Sequence, residues 1–402
     1  MNELSQNIYW VGFIDWDLRT FHGYSTPKGS TYNAYLIIDD EPTLIDTVKH
    51  YGFQEMLRRI RQVIDPGKIK YIVSNHTEMD HSGSIDELLA YCPNATVVCS
   101  PKGQEGLKKH FKKNWNFKVV QNGDSLTIGK RTLQFYLMPM VHWPDSMATY
   151  LREQRILFPN DAFGQHYASN VRFADETGID IILEEAAKYY ANIVLPYGTQ
   201  VNKALAQLQS LIIEMICPSH GTLWRRNEDI LRIVSLYKRW ADHIADNRVI
   251  IIYDTMWHST EQIARRLFEL IDSEHIPVGL FNAHITPIAD IMLEVMRSKI
   301  VLMGSPILNN QILPTISGLL TYMRGLKPRN RYGTTFGSYG WSPAGFSQLE
   351  NGLKESGVEL LSEGTYFQFI PDDTEMEKLT PVIEKIKAIL QISQGSLTKG
   401  KS

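Results

Sequence analysis

Three cysteines in 402 residues, at 92, 99 and 217, leave the chain without a single C-x-x-C pair. That excludes a zinc ribbon, an iron–sulfur centre or a rubredoxin-type site of its own, and three lone thiols fit a reducing compartment. No run of 18 uncharged apolar residues is present, and the opening MNELSQNIYW lacks the basic and apolar regions of a secretory signal. The expectation is a soluble, cytoplasmic protein that makes no use of a membrane. An excess of either charge is missing too. Lys and Arg number 41 against 44 Asp and Glu, and beyond Asn247 the split is 15 against 16. No basic half exists to hold nucleic acid. Hydrophobic residues at 43% and charged residues at 21% are ordinary for a folded protein, and the length suits two or three domains. The surplus is in histidine, with 12 in all and nine of them before Asn247.

From Ile8 to about Thr47 the chain reads as short strands, IYWVGF, TYNAYLIIDD and TLIDT, separated by a polar stretch. A helix FQEMLRRIRQVI follows, then the apolar strand KIKYIVS, which delivers the chain to Asn75 and His76. Further strands are expected at TVVCS, SLTIG, RTLQFYLM, RILFPND and ICPSHG, with residues 175–208 largely helical. Near Asn247 the pattern changes. RVIIIYDT, VGLFNA, KIVLMGSP, RYGTTFGSYGW and VELL alternate with amphipathic helices, which predicts a five-stranded, doubly wound parallel sheet. The domains are therefore placed at 1–246 and 247–393, with a disordered tail at 394–402.

The densest chemistry is N-H-T-E-M-D-H-S-G at 75–83, which puts His76, Glu78, Asp80 and His81 within six residues directly after a buried strand. Helix capping needs one such residue; four in one loop exceed what one ion takes, so two metal ions are the economical reading. His142 in VHWPDSM, Asp161 in LFPND and His220 in PSHG stand at other strand ends, and a carboxylate at Asp161 can give one oxygen to each of two cations. A nitrogen-and-oxygen set without thiolate suits iron or manganese better than structural zinc. Asp46 in LIDT reads as a carboxylate that braces the metal loop.

This signature resembles the metallo-β-lactamase fold with Glu78 where that fold usually has His, and the H-x-E-x-D-H variant with H-x-P-D-S-M, N-D and P-S-H-G resembles the flavodiiron proteins. The likeness implies an α/β chain, a metallo-β-lactamase-like αββα sandwich followed by a flavodoxin-like sheet. It also implies that His76, Glu78, His142 and Asp161 hold one iron, that Asp80, His81, Asp161 and His220 hold the other, and that His22 and Tyr197 line the pocket where a gas binds.

In the second domain, D-T-M-W-H-S-T-E sets Thr255, Ser259 and Thr260 before a helix, where hydroxyls and backbone N–H groups can wrap a phosphate monoester. No P-loop and no G-x-G-x-x-G follows this strand. The pattern resembles flavodoxin, whose ligand is FMN. Candidate FMN contacts are Thr255, Met256, Trp257, His258, Ser259 and Thr260 in this loop, Ser305, Pro306, Ile307 and Asn309 in the next, and Ser338, Tyr339, Gly340 and Trp341 in the third. The family usually continues this last loop with glycine, where Ser342, Pro343 and Ala344 stand here.

Together the resemblances imply an oxidoreductase that passes electrons through FMN to a dinuclear non-haem iron centre, which reduces O2 to water or NO to N2O, with O2 the first expectation. Without a rubredoxin domain of its own the protein would draw on rubredoxin or a reduced deazaflavin, and a head-to-tail homodimer or dimer of dimers would bring each flavin to its partner's irons. The rival readings are a dinuclear zinc hydrolase fused to a flavodoxin-like module and an electron carrier with a vestigial metal site. Glu78, which adds charge suited to ferric iron, and the complete ligand set speak against them.

Overall fold

The computed structural model describes residues 3–398. The chain divides into two units: the first runs to Tyr190 and resumes from Tyr197 to Asp242, and the second takes Ala191–Pro196 and the chain from His243 onward. The division thus falls four residues before the expected boundary. The six-residue insert belongs to the second unit because Asn192 donates to the carbonyl of Ala289 (3.1 Å) and accepts from the Tyr322 hydroxyl (3.0 Å).

Two sheets face each other in the first unit. The seven-stranded one has the order Glu3–Ser5, Ile8–Trp10, Tyr35–Ile37, Thr43–Ile45, Tyr71–Ser74, Thr96–Cys99 and Phe117–Val119. The other runs Ser125–Thr127, Thr132–Leu137, Met147–Leu151, Ile156–Phe158 and Met215–Ile216. Period-two alternation sorts the side chains. Val73 and Val98 point inward with Phe135, Met147 and Phe158 of the facing sheet, while Ile72 and Val97 point outward onto Met56, Ile60, Leu88 and Leu107 of the covering helices. Helices Gly198–Leu208 and Asn227–Ala241 lie beyond the second sheet, completing the expected αββα layers. The Met147–Leu151 strand, buried at every position, was not anticipated, because MATYL alternates nothing and a fully buried strand has no polar face to mark it. The helical stretch expected at 175–208 is broken. Gly178 at φ 117° ends one short helix, and a π-helical turn at Tyr190–Val194 and a 3-10 turn at Leu195–Tyr197 surround Pro196, which has no N–H to continue the ladder.

The second unit is a parallel sheet in the order Val278–Asn282, Asp246–Tyr253, Ser298–Gly304, Arg331–Tyr339 and Val358–Leu360, with Thr365–Gln368 resuming the edge alongside Arg331–Tyr339. The five expected strands are present; the sixth arises because the edge strand is interrupted. The order places a topological switch point between Asp246–Tyr253 and Ser298–Gly304. The Arg331 guanidinium is buried and donates to the carbonyls of His243 (2.8 Å), Val295 (3.1 Å) and Met296, tying the start of the unit to its sheet. The last helix is Thr380–Thr398, so the tail expected to be disordered from 394 is helical as far as it is described, and 399–402 lie outside the described residues. Among the described residues no helix is long and apolar enough to cross a membrane.

Phe135 is fully buried between the two sheets. Phe135→Ala is expected to destabilise the first unit by about 3–5 kcal/mol, measured by denaturant unfolding with the second unit's flavin-site fluorescence as an independent probe.

Candidate metal centre and flavin loops

Four strand ends of the first unit converge. The strand Tyr71–Ser74 leads into Asn75 and His76, and the turn of helix Met79–Ser82 carries Asp80 and His81 beside them. His142 lies in the loop between Thr132–Leu137 and Met147–Leu151, Asp161 follows Ile156–Phe158, and His220 follows Met215–Ile216. The seven side chains form two sets whose ligand atoms lie within 4.8 Å of one another: His76, Glu78, His142 and Asp161, and Asp80, His81 and His220. Asp161 belongs to both. Its Oδ2 is 3.2 Å from His142 Nε2 and 3.8 Å from His76 Nε2, whereas its Oδ1 is 3.0 Å from His81 Nε2 and 3.4 Å from His220 Nε2. Glu78 Oε2 completes the first set at 3.3 Å from His76 and 3.4 Å from His142, and Asp80 the second at 3.4 Å from His81 and 3.2 Å from His220.

The surroundings aim these groups. His76 Nδ1 donates to Asp145 Oδ2 (3.0 Å), which also accepts the Thr77 N–H (2.7 Å), so Nε2 is left facing the cluster. His220 Nδ1 donates to the carbonyl of Thr31 (2.7 Å) with the same result. Asp46 braces the site as expected, but through asparagines rather than a histidine: it accepts from the backbone and side chain of Asn75 (2.7 and 3.0 Å) and from Asn160 (3.3 Å), the neighbours of His76 and Asp161. The carboxylate that orients a ligand imidazole is Asp145, in the same HWPDSM segment as His142.

Burial by itself would discharge these groups, and their mutual attraction prevents it. Glu78 is buried, yet hydrogen bonds from His22 and His76 hold its carboxyl down to about 2. Asp161, likewise penalised by burial, is held well below the carboxylate range by His81 and His142, and Asp80 by His81 and His220. Burial opposes a charge on His81, but Asp80 and Asp161 raise it to about 9. Both Asp80 oxygens, Asp161 Oδ2 and both His81 nitrogens are buried and make no hydrogen bond among the described residues. Two cations fit this donor set, since they would satisfy those atoms and displace the imidazole protons.

Of the two pocket residues expected, one meets the cluster. His22 Nε2 is 2.5 Å from Glu78 Oε1, with 61% of its side chain exposed. Tyr197 instead begins the helix Gly198–Leu208, half-buried and without a hydrogen bond or ring contact among the described residues. The tyrosine beside the metal residues is Tyr189, fully buried, its ring 5.9 Å from that of His220. Burial, and then the Asp161 charge, push its hydroxyl well above the usual range, so it stays a phenol. His166 joins it, 4.8 Å ring to ring from His220 and bonded through Nδ1 to Ser30 (2.8 Å). Burial and the nearby His220 keep it neutral. Its place five residues beyond Asp161 was the signal in the sequence; Tyr189 had none.

In the second unit the three expected loops lie at strand ends. Helix Ser259–Ser273 opens with His258 in the left-handed region (φ 64°) and no side-chain cap. Thr255 Oγ1 is buried without a hydrogen bond among the described residues, which suits a hydroxyl that faces a phosphate. Thr260 is paired with Ser338 (2.8 Å), linking the first loop to the third, and the Ser259 hydroxyl donates to the carbonyl of Phe369 (2.5 Å). Phe369 also donates from its N–H to Tyr339 (2.7 Å), and Gln368 Nε2 donates to Gly340 (2.9 Å), so a fourth segment, absent from the sequence reading, holds these loops. The Ser305 hydroxyl, in contrast, turns back onto its own loop, accepting from Leu313 N–H (3.0 Å). Trp257 and Trp341 are 85% and 89% exposed, bare aromatic surface of the kind a planar ring system covers.

Replacing the orienting carboxylate, Asp145→Asn, is expected to weaken metal retention by about 10–100-fold, measured as the chelator concentration that strips half the metal.

Residues 31–221 match the family described as ODP family beta lactamase, and residues 251–380 match flavodoxin. A nitric oxide reductase of Moorella thermoacetica is 42% identical over 391 residues, 96% of this chain and 98% of its own. The rubredoxin oxygen:oxidoreductase of the anaerobe Desulfovibrio gigas superposes with a TM-score of 0.95 at 38% identity, covering 97% of this chain and 98% of the other. The flavodiiron protein of Giardia intestinalis does so with a TM-score of 0.91 at 33% identity, covering 97% of each. With both units matched end to end at such identity, the chain belongs to the flavodiiron protein family.

Proposed function

We propose that the protein is a cytoplasmic flavodiiron oxidoreductase that takes electrons from rubredoxin or a reduced deazaflavin through FMN and uses them at a dinuclear iron centre to reduce O2 to water, NO to N2O, or both. The observation that carries this reading is Asp161, whose two oxygens face two separate ligand sets. His76, Glu78, His142 and Asp161 would hold one iron, and Asp80, His81, Asp161 and His220 the other. In the second unit Thr255, Met256, Trp257, His258, Ser259 and Thr260 would take the phosphate end of FMN. Ser305, Pro306, Ile307 and Asn309, with Ser338, Tyr339, Gly340 and Trp341, would take its ring. A head-to-tail homodimer, or a dimer of such dimers, is part of the proposal, so that flavin and irons of different chains meet.

When bound, FMN would supply an electron store that releases one electron at a time, and two ferrous ions would supply two electrons, the number that two NO consume, with the further two that O2 needs drawn from the flavin. The chain's own residues do the rest. Glu78 adds a third carboxylate to the ligand sets, which favours the more highly charged state of iron. His22 holds a proton at Nε2 against Glu78 Oε1 with most of its ring in solvent, a route for protons to the site. Tyr189 stays a phenol with its ring beside that of His220, and the buried rings of Phe21 and Tyr32 limit water around the same imidazole. Tyr197, expected from the resemblance to line the pocket, keeps only a place at the helix start.

Metal analysis together with turnover tests the proposal. About two irons per chain and reduction of O2 or of NO under a common reductant are expected, whereas zinc in place of iron with hydrolysis of thioesters or lactams would establish the hydrolase instead. His142→Ala is expected to abolish gas reduction and leave FMN bound.

The His22–Glu78 pair adds a pH dependence. The hydrogen bond to Glu78 raises the His22 imidazole above its ordinary value, so the protonated pair is fully formed on the acid side and is lost as pH rises through that raised pKa. Wild-type kcat/KM for the gas is therefore expected to fall on the alkaline side, and His22→Gln to lower the plateau and remove that limb from the pH–rate profile.

A further inference from the structure

An apolar cavity of about 490 Å3 in the first unit lies on the far side of the second sheet from the sandwich core. Its floor is Leu157, Phe163 and Ile216, all buried, and helices Gly198–Leu208 and Asn227–Ala241 wall it with Leu205, Leu208 and Val234. It opens to solvent past Ala206, Gln209 and Lys238. The floor is joined directly to the metal ligands. Leu157 and Ile216 each precede a ligand, Asp161 and His220, by four residues, at most about 13 Å of extended chain. Phe163 follows Asp161 by two. Its backbone is fixed on both sides, N–H to the Tyr237 hydroxyl (2.6 Å) and carbonyl to Trp224 Nε1 (3.0 Å), and the next residue, Gly164, donates back to the carbonyl of Asp161 (3.0 Å). Phe163 therefore belongs both to the lining of the cavity and to the loop that carries the shared carboxylate.

We propose that this cavity binds small apolar diatomic gas and supplies it to the metal centre from behind. Polar groups near the rim are largely engaged with one another: Asn202 Nδ2 donates to Asp242 Oδ1 (2.8 Å), and Lys238 Nζ bonds the same carboxylate (2.7 Å). Among the described residues lining the cavity, only Asn202 Oδ1 is a buried acceptor without a hydrogen bond, too little to fix a polar ligand. A gas needs no hydrogen bond, prefers apolar surroundings to water, and occupies such cavities as xenon does. The volume exceeds that of one diatomic molecule many times over, so the cavity stores gas rather than orienting it. Phe163, closing the floor, is the side chain that must swing for gas to pass. This inference rests on the proposed gas reduction for its kinetic half and on the cavity alone for its binding half.

Crystals of the holoprotein under xenon pressure, and steady-state turnover at limiting gas, test the two halves. Xenon density is expected over Leu157, Phe163 and Ile216, and to vanish in Ala206→Trp, where an indole at an exposed helix position plugs the mouth. The same variant is expected to lower kcat/KM for the gas at least threefold, about 0.6 kcal/mol in transition-state terms, with flavin reduction by the donor unchanged. Leu205→Trp, which fills the cavity from its wall, is expected to repeat the loss. Absence of xenon, an ordered organic molecule in its place, or xenon without any kinetic change in either plugged variant would overturn the inference. Wild-type protein that reduces neither gas would instead refute the proposed function, and xenon binding would still be judged by itself.

Discussion

Two carboxylates and four imidazoles, most of them wholly withdrawn from water, are gathered around one aspartate. Isolated, any of these charges would carry a heavy desolvation cost, and together they are tolerable only while positive and negative groups alternate at hydrogen-bond range. Asp161 is where that alternation is decided, because each of its oxygens answers to a different pair of histidines. The architecture follows from it. Strands from different parts of the sandwich must end at one level, Asp46 must hold the loop of Asn75, and Asp145 and Thr31 must turn His76 and His220 so that each presents Nε2.

The part of this that was legible in the sequence is the part written in short range. Four ligand-type side chains within six residues, a histidine or aspartate at the ends of several further apolar strands, and a change from mixed to continuous apolar strands near Asn247 identify two α/β domains and a dinuclear site. What could not be read depends on partners far apart in the chain. Asp145 orients His76 across 69 residues, and Tyr189 rather than Tyr197 reaches His220 because the chain between them leaves the helical path at Tyr190. The Ser259 hydroxyl finds a carbonyl 110 residues away. No periodicity encodes such meetings. Met147–Leu151 escaped notice for the opposite reason, since a strand buried on both faces shows no alternation at all.

The flavin loops and the metal loops obey one economy. In both units a parallel strand delivers backbone and side-chain polar groups to its carboxyl end, where the next element turns away and leaves room for a ligand. The difference lies in what fills the room. Buried charge at Asp80, Asp161 and His81 calls for ions, while an uncapped helix start with Thr255 and the bare faces of Trp257 and Trp341 call for a flat anion.

The excursion of Ala191–Pro196 into the second unit makes the two units a single topological object. Tyr189, beside His220, and the helix from Gly198 lie on either side of it, so no one cut in the chain yields both halves intact. A fragment ending at Asp242 would keep every metal ligand and yet carry six residues whose folded partners, Ala289 and Tyr322, had been removed. The six residues thus fold with the second unit, while the chain on both sides of them folds with the first.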